Sequence, residues 1–123
     1  MSGHVTHIAH VTVHTAMLRE TVAFYQWLLG LPVAVELQTA EGEIVFLGAN
    51  ETKFELIEDK NAGKISASEL SIGFAVEDIR AKIAMLDEKG IPHSPIISPA
   101  PKTKFIFFTD LNGCKIQLCE EAG

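Results

Sequence analysis

HVTV at residues 10–13 and AFYQWLLGLP at residues 23–32 stand at the centre of the first half of this chain. In the first segment polar and apolar residues alternate, which predicts a β-strand. Around the second segment Leu18, Val22, Tyr25 and Leu29 recur at helical spacing. Gly30 is a typical helix end and Pro32 prevents continuation, so the pattern predicts a strand followed by a helix.

Further strands and one more helix are predicted on either side of these segments. Short runs rich in β-branched and aromatic residues alternate with glycine and asparagine turns. The predicted elements are a strand over 5–13, a helix over 17–30, strands over 33–38, 43–47 and 53–58, a strand over 70–76, a helix over 78–89, and strands over 94–98, 105–109 and 114–119.

The second half of the chain repeats the order of the first. Gly30-Leu31-Pro32 corresponds to Gly90-Ile91-Pro92 at an offset of 60 residues, and the offsets of two other landmarks are 61 and 62. A nearly constant offset of this kind indicates internal duplication of one supersecondary unit. We therefore predict an α+β fold, a single domain over 1–123 built from two tandem βαβββ units at about 5–59 and 69–121, with curved mixed sheets and a concave ligand cavity.

Composition and charge narrow the classes of function. The 123 residues are 47% hydrophobic and 21% charged, as in an ordinary globular domain, and the net charge is −6. An acidic chain without a lysine and arginine cluster is not expected to bind nucleic acid. No signal-peptide pattern or membrane-length apolar run is present, so we expect a cytoplasmic protein, with no membrane contact, whose partner is a small molecule.

Alternation along the strands predicts which side chains could form a site. If Val11 and Val13 face the helix, His10 and Thr12 face the other way, because successive strand residues point to opposite faces. The same reasoning applies to Glu55 and to positions in the second unit. The residues predicted to surround one cavity are His10, Glu55, Ser71 and Gln117.

The ordered motifs resemble a known family over nearly the whole chain. The strand with His10, the helix ending in Leu29-Gly30-Leu31, Phe54-Glu55-Leu56, and the hairpin at 108–118 are similar to the vicinal-oxygen-chelate superfamily of glyoxalases, bleomycin resistance proteins and dioxygenases. In its metal-dependent members the first and last strands of each unit donate one ligand apiece. The resemblance implies His10, Glu55 and Gln117 as ligands of one divalent ion (Zn, Ni, Mn or Fe), with Ser71 where a histidine is common.

Two functions follow from this resemblance. The first is a metal-dependent lyase, isomerase or ring-opening oxygenase in which Glu55 is the catalytic base; lactoylglutathione lyase activity is not expected, because the amide of Gln117 cannot transfer a proton. The second is a metal-free binding protein similar to bleomycin resistance proteins. The sequence leaves open which of them applies. A ferredoxin-like sensor domain is a third alternative, but its βαββαβ order has fewer strands than this sequence predicts.

Four residues are predicted to contact a substrate. They are Thr12, His14, Ser71 and Phe107. Phe107 is included because Phe105, Phe107 and Phe108 could form an aromatic wall.

Family members of this size commonly pair units across two chains, and open sheets leave edge strands that pairing would cover, so we expect a homodimer.

Overall fold

The computed structural model describes residues 7–49 and 52–121, and it divides the chain into two compact units, Met1–Gly63 and Lys64–Gly123. Each unit contains one helix and one four-stranded sheet. The predicted α+β fold of two βαβββ units is therefore confirmed.

The first unit contains β1 (His10–Thr15), α1 (Leu18–Leu29), β2 (Val33–Thr39), β3 (Gly42–Leu47) and β4 (Lys53–Glu58). The strand order in its sheet is β1-β4-β3-β2, and β1 runs parallel to β4. The helix packs against the sheet through Tyr25, whose ring meets that of Phe54 edge-on at 5.0 Å. The parallel pairing places β1 beside the strand that carries Glu55.

The second unit contains β5 (Ile72–Val76), α2 (Ile79–Glu88), β6 (Ile97–Ala100), β7 (Thr103–Thr109) and β8 (Lys115–Glu121). Its strand order is β5-β8-β7-β6, with β5 parallel to β8. Asp78 caps α2 by accepting a hydrogen bond from the backbone N–H of Ala81, and Glu120 accepts one from that of Ile79. These bonds fix the start of α2 at the end of β8.

One face of each sheet forms the core of its unit. In the first unit Val13 and Leu56 are paired across β1 and β4, and both are buried. In the second unit Ile106, Ile116 and Leu118 are completely buried. Because side chains alternate along a strand, the residues between them point away from the helix. That face carries His10, Thr12 and Glu55 in the first unit and Phe107, Lys115 and Gln117 in the second.

Some predicted boundaries were wrong. The first strand begins at His10 rather than at residue 5, and residues 5 and 6 lie outside the described residues. β6 begins at Ile97 rather than at residue 94, because Pro95 has no N–H and interrupts the ladder after Ser94 has bonded to Phe107. Ser71 precedes β5 instead of lying within it.

The described helices are all too short or too polar to cross a membrane. Cys114 and Cys119 are not joined in a disulfide, and burial raises the pKa of the Cys114 thiol to about 11. That thiol is therefore a packing group and not a nucleophile at neutral pH.

His93 links the end of α2 to the chain that follows it. Its Nδ1 lies 2.7 Å from the carbonyl oxygen of Ser94, and its Nε2 lies 2.8 Å from Oδ1 of Asp87. Both partners are acceptors, so only the imidazolium donates to both. The hydrogen bond to Ser94, and then that to Asp87, raise the pKa of His93 above its ordinary 6.5.

We expect the second unit to lose stability as pH rises. A raised folded-state pKa means that the contribution of His93 is complete below pH 6.5 and is lost as pH rises through the folded value. Urea unfolding across roughly pH 5 to 9 should show a difference between the wild type and His93→Gln that shrinks toward alkaline pH. Asp87→Asn should lower the His93 pKa in an NMR titration, and an unchanged titration would contradict the assignment.

Candidate functional site

The first unit brings His10 and Glu55 together on the face opposite α1. Thr12 and Glu55 are Cα partners across the parallel pair, and His10 lies two residues earlier on the same face. Nε2 of His10 is 3.4 Å from Oε1 of Glu55. These two side chains therefore lie next to each other within one unit, because of the register in which β1 pairs with β4.

Two neighbours fix the geometry of this pair. The Thr12 hydroxyl donates a hydrogen bond to Oε1 of Glu55 at 2.5 Å, and the ring of Phe46 meets that of His10 edge-on at 5.6 Å. The Glu55 side chain is 12% exposed, whereas that of His10 is 45% exposed. A mostly buried carboxylate with one fixed donor and an accessible imidazole is suited to holding a ligand in a defined orientation.

The donor atoms fit a divalent metal. Two ligands at about 2.1 Å from one ion and at right angles to each other are about 3 Å apart, which is close to the observed separation. Imidazole nitrogen and carboxylate oxygen suit Zn, Mn, Fe and Ni. No cluster of three or more His, Cys, Asp or Glu residues with metal-binding geometry occurs within 7–49 and 52–121.

The second unit has an uncharged counterpart of this arrangement. Gly73 and Gln117 are Cα partners across β5 and β8, as Thr12 and Glu55 are across β1 and β4. A Cβ built on Gly73 would lie 3.1 Å from Oε1 of Gln117. The Gln117 amide thus extends over the glycine, in the space that a side chain at position 73 would need.

The remaining predicted residues have different surroundings. Nδ1 of His14 lies 3.2 Å from Oδ2 of Asp59, and its side chain is 57% exposed. Ser71 is exposed just before β5. Phe107 is half-buried, with the ring of Phe105 edge-on at 5.6 Å. The contact of His14, Ser71 and Phe107 with a substrate stays a prediction.

Sequence reasoning missed several neighbours of these residues. Asp59, beside His14, follows β4 at the predicted end of the first unit. Lys115 lies two residues before Gln117 on β8 and therefore on the same face, and its Nζ lies 4.5 Å from the centre of the Phe107 ring. The two-residue spacing from Gln117 was the signal in the sequence that could have identified Lys115. Phe108, considered for the aromatic wall, is instead buried on the core face.

The duplicated unit and its histidine–carboxylate pair define the class of protein. A family model, Glyoxalase/Bleomycin resistance protein/Dioxygenase superfamily, matches residues 7–118. The chain belongs to this superfamily, as its motifs predicted. No curated protein matches the sequence.

Solved structures show the same fold. The glyoxalase family protein from Enterococcus faecalis is 30% identical, with a TM-score of 0.71, 92% of this chain covered and 96% of that one. FosX, a fosfomycin resistance protein from Listeria monocytogenes complexed with Mn(II) and sulfate ion, is 14% identical (TM-score 0.74; 99% and 93% covered). TnmS3, an antibiotic binding protein from Streptomyces sp. CB03234, is 16% identical (TM-score 0.73; 96% and 98% covered).

Proposed function

We propose that this protein binds one divalent metal ion through His10 and Glu55 and acts on a small, oxygen-rich substrate as a lyase, isomerase or oxygenase. The observation that carries the proposal is the 3.4 Å separation of Nε2 of His10 and Oε1 of Glu55, with Thr12 orienting the carboxylate. Gln117 is the proposed third protein ligand, because its register in the second unit repeats that of Glu55. The FosX structure with Mn(II) supports a metal in this fold.

The residues divide the work of such a site. The ion, when bound, would polarise two oxygens of the substrate as a Lewis acid. His10 would act as a ligand only, whereas Glu55 has a second carboxylate oxygen that can accept a proton from the substrate. Gln117 can offer a carbonyl oxygen but cannot take up a proton. The site therefore has one base, and we do not propose a reaction that needs two carboxylates.

Metal analysis tests the proposal directly. Protein purified without chelator should contain close to one divalent ion per chain by elemental analysis, and the double variant His10→Ala/Glu55→Ala should contain none. After removal of the ion, calorimetric titration with Mn²⁺, Zn²⁺, Ni²⁺ or Fe²⁺ should restore a 1:1 binding isotherm in the wild type only. Absence of binding by the wild type in all four titrations would rule the proposal out.

A second candidate is a metal-free binding protein that sequesters a small molecule. Gln117 and Ser71 supply no charge at the positions that match Glu55 and His10, and TnmS3 is an antibiotic binding protein with the same fold. Thermal-shift assays separate the candidates, since a ligand that binds the folded state raises the melting temperature. Stabilisation by cationic or aromatic compounds without any response to metals would favour this candidate, whereas a response to metals alone favours the first.

We also propose that the protein is a homodimer, in which one chain supplies His10 and Glu55 to a cavity and its partner supplies Ser71 and Gln117. The edge strand β2 leaves Val35 and Leu37 44% and 47% exposed, and pairing with a second chain would cover such residues. Light scattering over a concentration series should give twice the 13.4 kDa chain mass. A monomer mass at every concentration would contradict the dimer.

A further inference from the structure

The second unit contains a groove of about 670 Å³ that does not include the His10–Glu55 pair of the first unit. The segment 65–68 forms one wall, and Pro92, His93 and Ser94 form part of another. Phe107, Thr109 and Lys115 come from β7 and β8. The groove therefore lies along the sheet face that also carries Gln117.

Its walls are held in place by the backbone. The N–H of Ile65 donates to the carbonyl of Asn112 at 2.8 Å, which fixes segment 65–68 to the β7–β8 turn. On the other side, the N–H of Ser94 donates to the carbonyl of Phe107, and the Ser94 hydroxyl accepts from the Phe107 N–H, both at 2.9 Å. The groove is thus a preformed feature of the unit, as is usual for small-molecule sites.

The charge of the groove is opposite to that of the chain. Of the twelve residues that line it none is Asp or Glu, although the chain has a net charge of −6. Two lining residues, Lys115 and His93, are basic. Asp87, whose Oδ1 lies 2.8 Å from Nε2 of His93, offsets the charge of that imidazole, so Lys115 supplies the positive charge of the groove. An anion would meet a locally favourable potential here.

Lys115 is the group most suited to pairing with that anion. Its Nζ lies 3.4 Å from the carbonyl oxygen of Ser68 and 4.5 Å from the centre of the Phe107 ring. Within 7–49 and 52–121, no carboxylate lies within 4.0 Å of this ammonium group. By contrast, Lys104 on β7 lies 3.8 Å from Oε1 of Glu120. Ser66, Ser68 and Thr109 add exposed hydroxyl groups around Lys115.

We propose that this groove binds a small aromatic carboxylate, with Lys115 pairing with the carboxylate and Phe107 contacting the ring. The half-buried ring of Phe107 gives an apolar surface for a flat group, and aromatic ring pairs add binding energy beyond the buried area. The inference goes beyond the proposed function, and it uses Phe107, which the sequence predicted to contact a substrate. It adds the chemical class of the ligand.

The test is an NMR titration of the full chain with 2-naphthoate, compared with the uncharged 2-naphthamide. In ¹H–¹⁵N spectra we expect 2-naphthoate to shift the amide signals of segment 65–68, Ser94, Phe107 and Lys115, and to bind at least about tenfold more tightly than the amide. Lys115→Gln should remove that preference. Lys104→Gln, which deletes the same charge outside the groove, should retain it.

Each other result has a defined meaning. Equal binding of the two probes, or equal loss in Lys115→Gln and Lys104→Gln, would overturn the inference. Signal shifts centred on His10 and Glu55 instead of the groove would overturn it as well. Phe107→Leu should weaken both probes and keep the preference, which separates ring contact from charge. The titration contains no metal, so the two proposals are tested separately. Absence of metal binding would contradict the proposed function but not this inference. Absence of 2-naphthoate binding would contradict this inference but not the proposed function.

Discussion

Replacing Gly113 by alanine should lower the free energy of unfolding by about 2–4 kcal/mol. Gly113 has φ +83, where a Cβ strains the backbone, and that Cβ would lie 2.4 Å from the carbonyl oxygen of Ile65. Neither backbone segment can move without weakening the bond from Ile65 to Asn112 or the turn bonds that Asp110 accepts from Asn112 and Cys114. Urea unfolding followed by circular dichroism measures the loss.

Two other glycines separate the causes of that loss. Gly90 has φ +69 with nothing within 4 Å of an added Cβ, so Gly90→Ala should show the cost of the backbone conformation alone, about 1 kcal/mol. Gly63 has neither restriction, and Gly63→Ala should change stability by less than about 0.5 kcal/mol. If Gly113→Ala costs no more than Gly90→Ala, close approach of segment 65–68 to the turn is not a determinant of stability.

Glu55→Gln should weaken divalent metal binding by about 100-fold or more while leaving the fold intact. The substitution removes the one anionic ligand of the proposed site, whereas the amide oxygen can still accept the hydrogen bond from Thr12. Changes in groups that only support metal ligands already cost roughly 10–100-fold in affinity, so the loss of a charged ligand should be at least as large. Calorimetric titration with Mn²⁺ or Zn²⁺ gives the affinity, and circular dichroism confirms the fold.

Glu43→Gln is the matched control for this substitution. Glu43 lies on β3 and pairs with Arg19 rather than with His10, so it removes the same charge from the same unit. Its metal affinity should stay within about twofold of the wild type, because Glu43 is held by Arg19 and supplies no ligand to the His10–Glu55 pair. Equal weakening by both substitutions would show that net charge, and not the His10–Glu55 pair, controls binding.

Local sequence pattern was enough to predict the architecture. The nearly constant offset between the two halves predicted two βαβββ units, and the element order confirms this prediction. Alternation along β1 and β4 was also enough to place His10 and Glu55 on one face, opposite Val13 and Leu56. The first inference compares the order of motifs in the two halves, and the second uses the two-residue period of a strand.

Strand ends were predicted less well because they depend on partners. Residues before His10 are rich in β-branched side chains, but β1 begins where its ladder with β4 begins, at the pairing of His10 with Lys53. The strand predicted over 94–98 contains Ile96 and Ile97, yet Pro95 interrupts the pairing with β7 before β6 begins at Ile97. The amino-acid composition of a segment indicates whether it tends to be extended, but not whether a neighbouring strand is present to pair with it.

The sequence by itself determined the duplicated fold, the membership of the superfamily and the shared face of His10 and Glu55. Only the tertiary structure decided that Thr12 donates to Glu55, that Gln117 extends over Gly73, and that Lys115 lies above Phe107 in a groove closed by segment 65–68. The first of these contacts joins residues 43 positions apart. Such contacts depend on which strands pair and in which register, and alternation within a single strand contains no information on either.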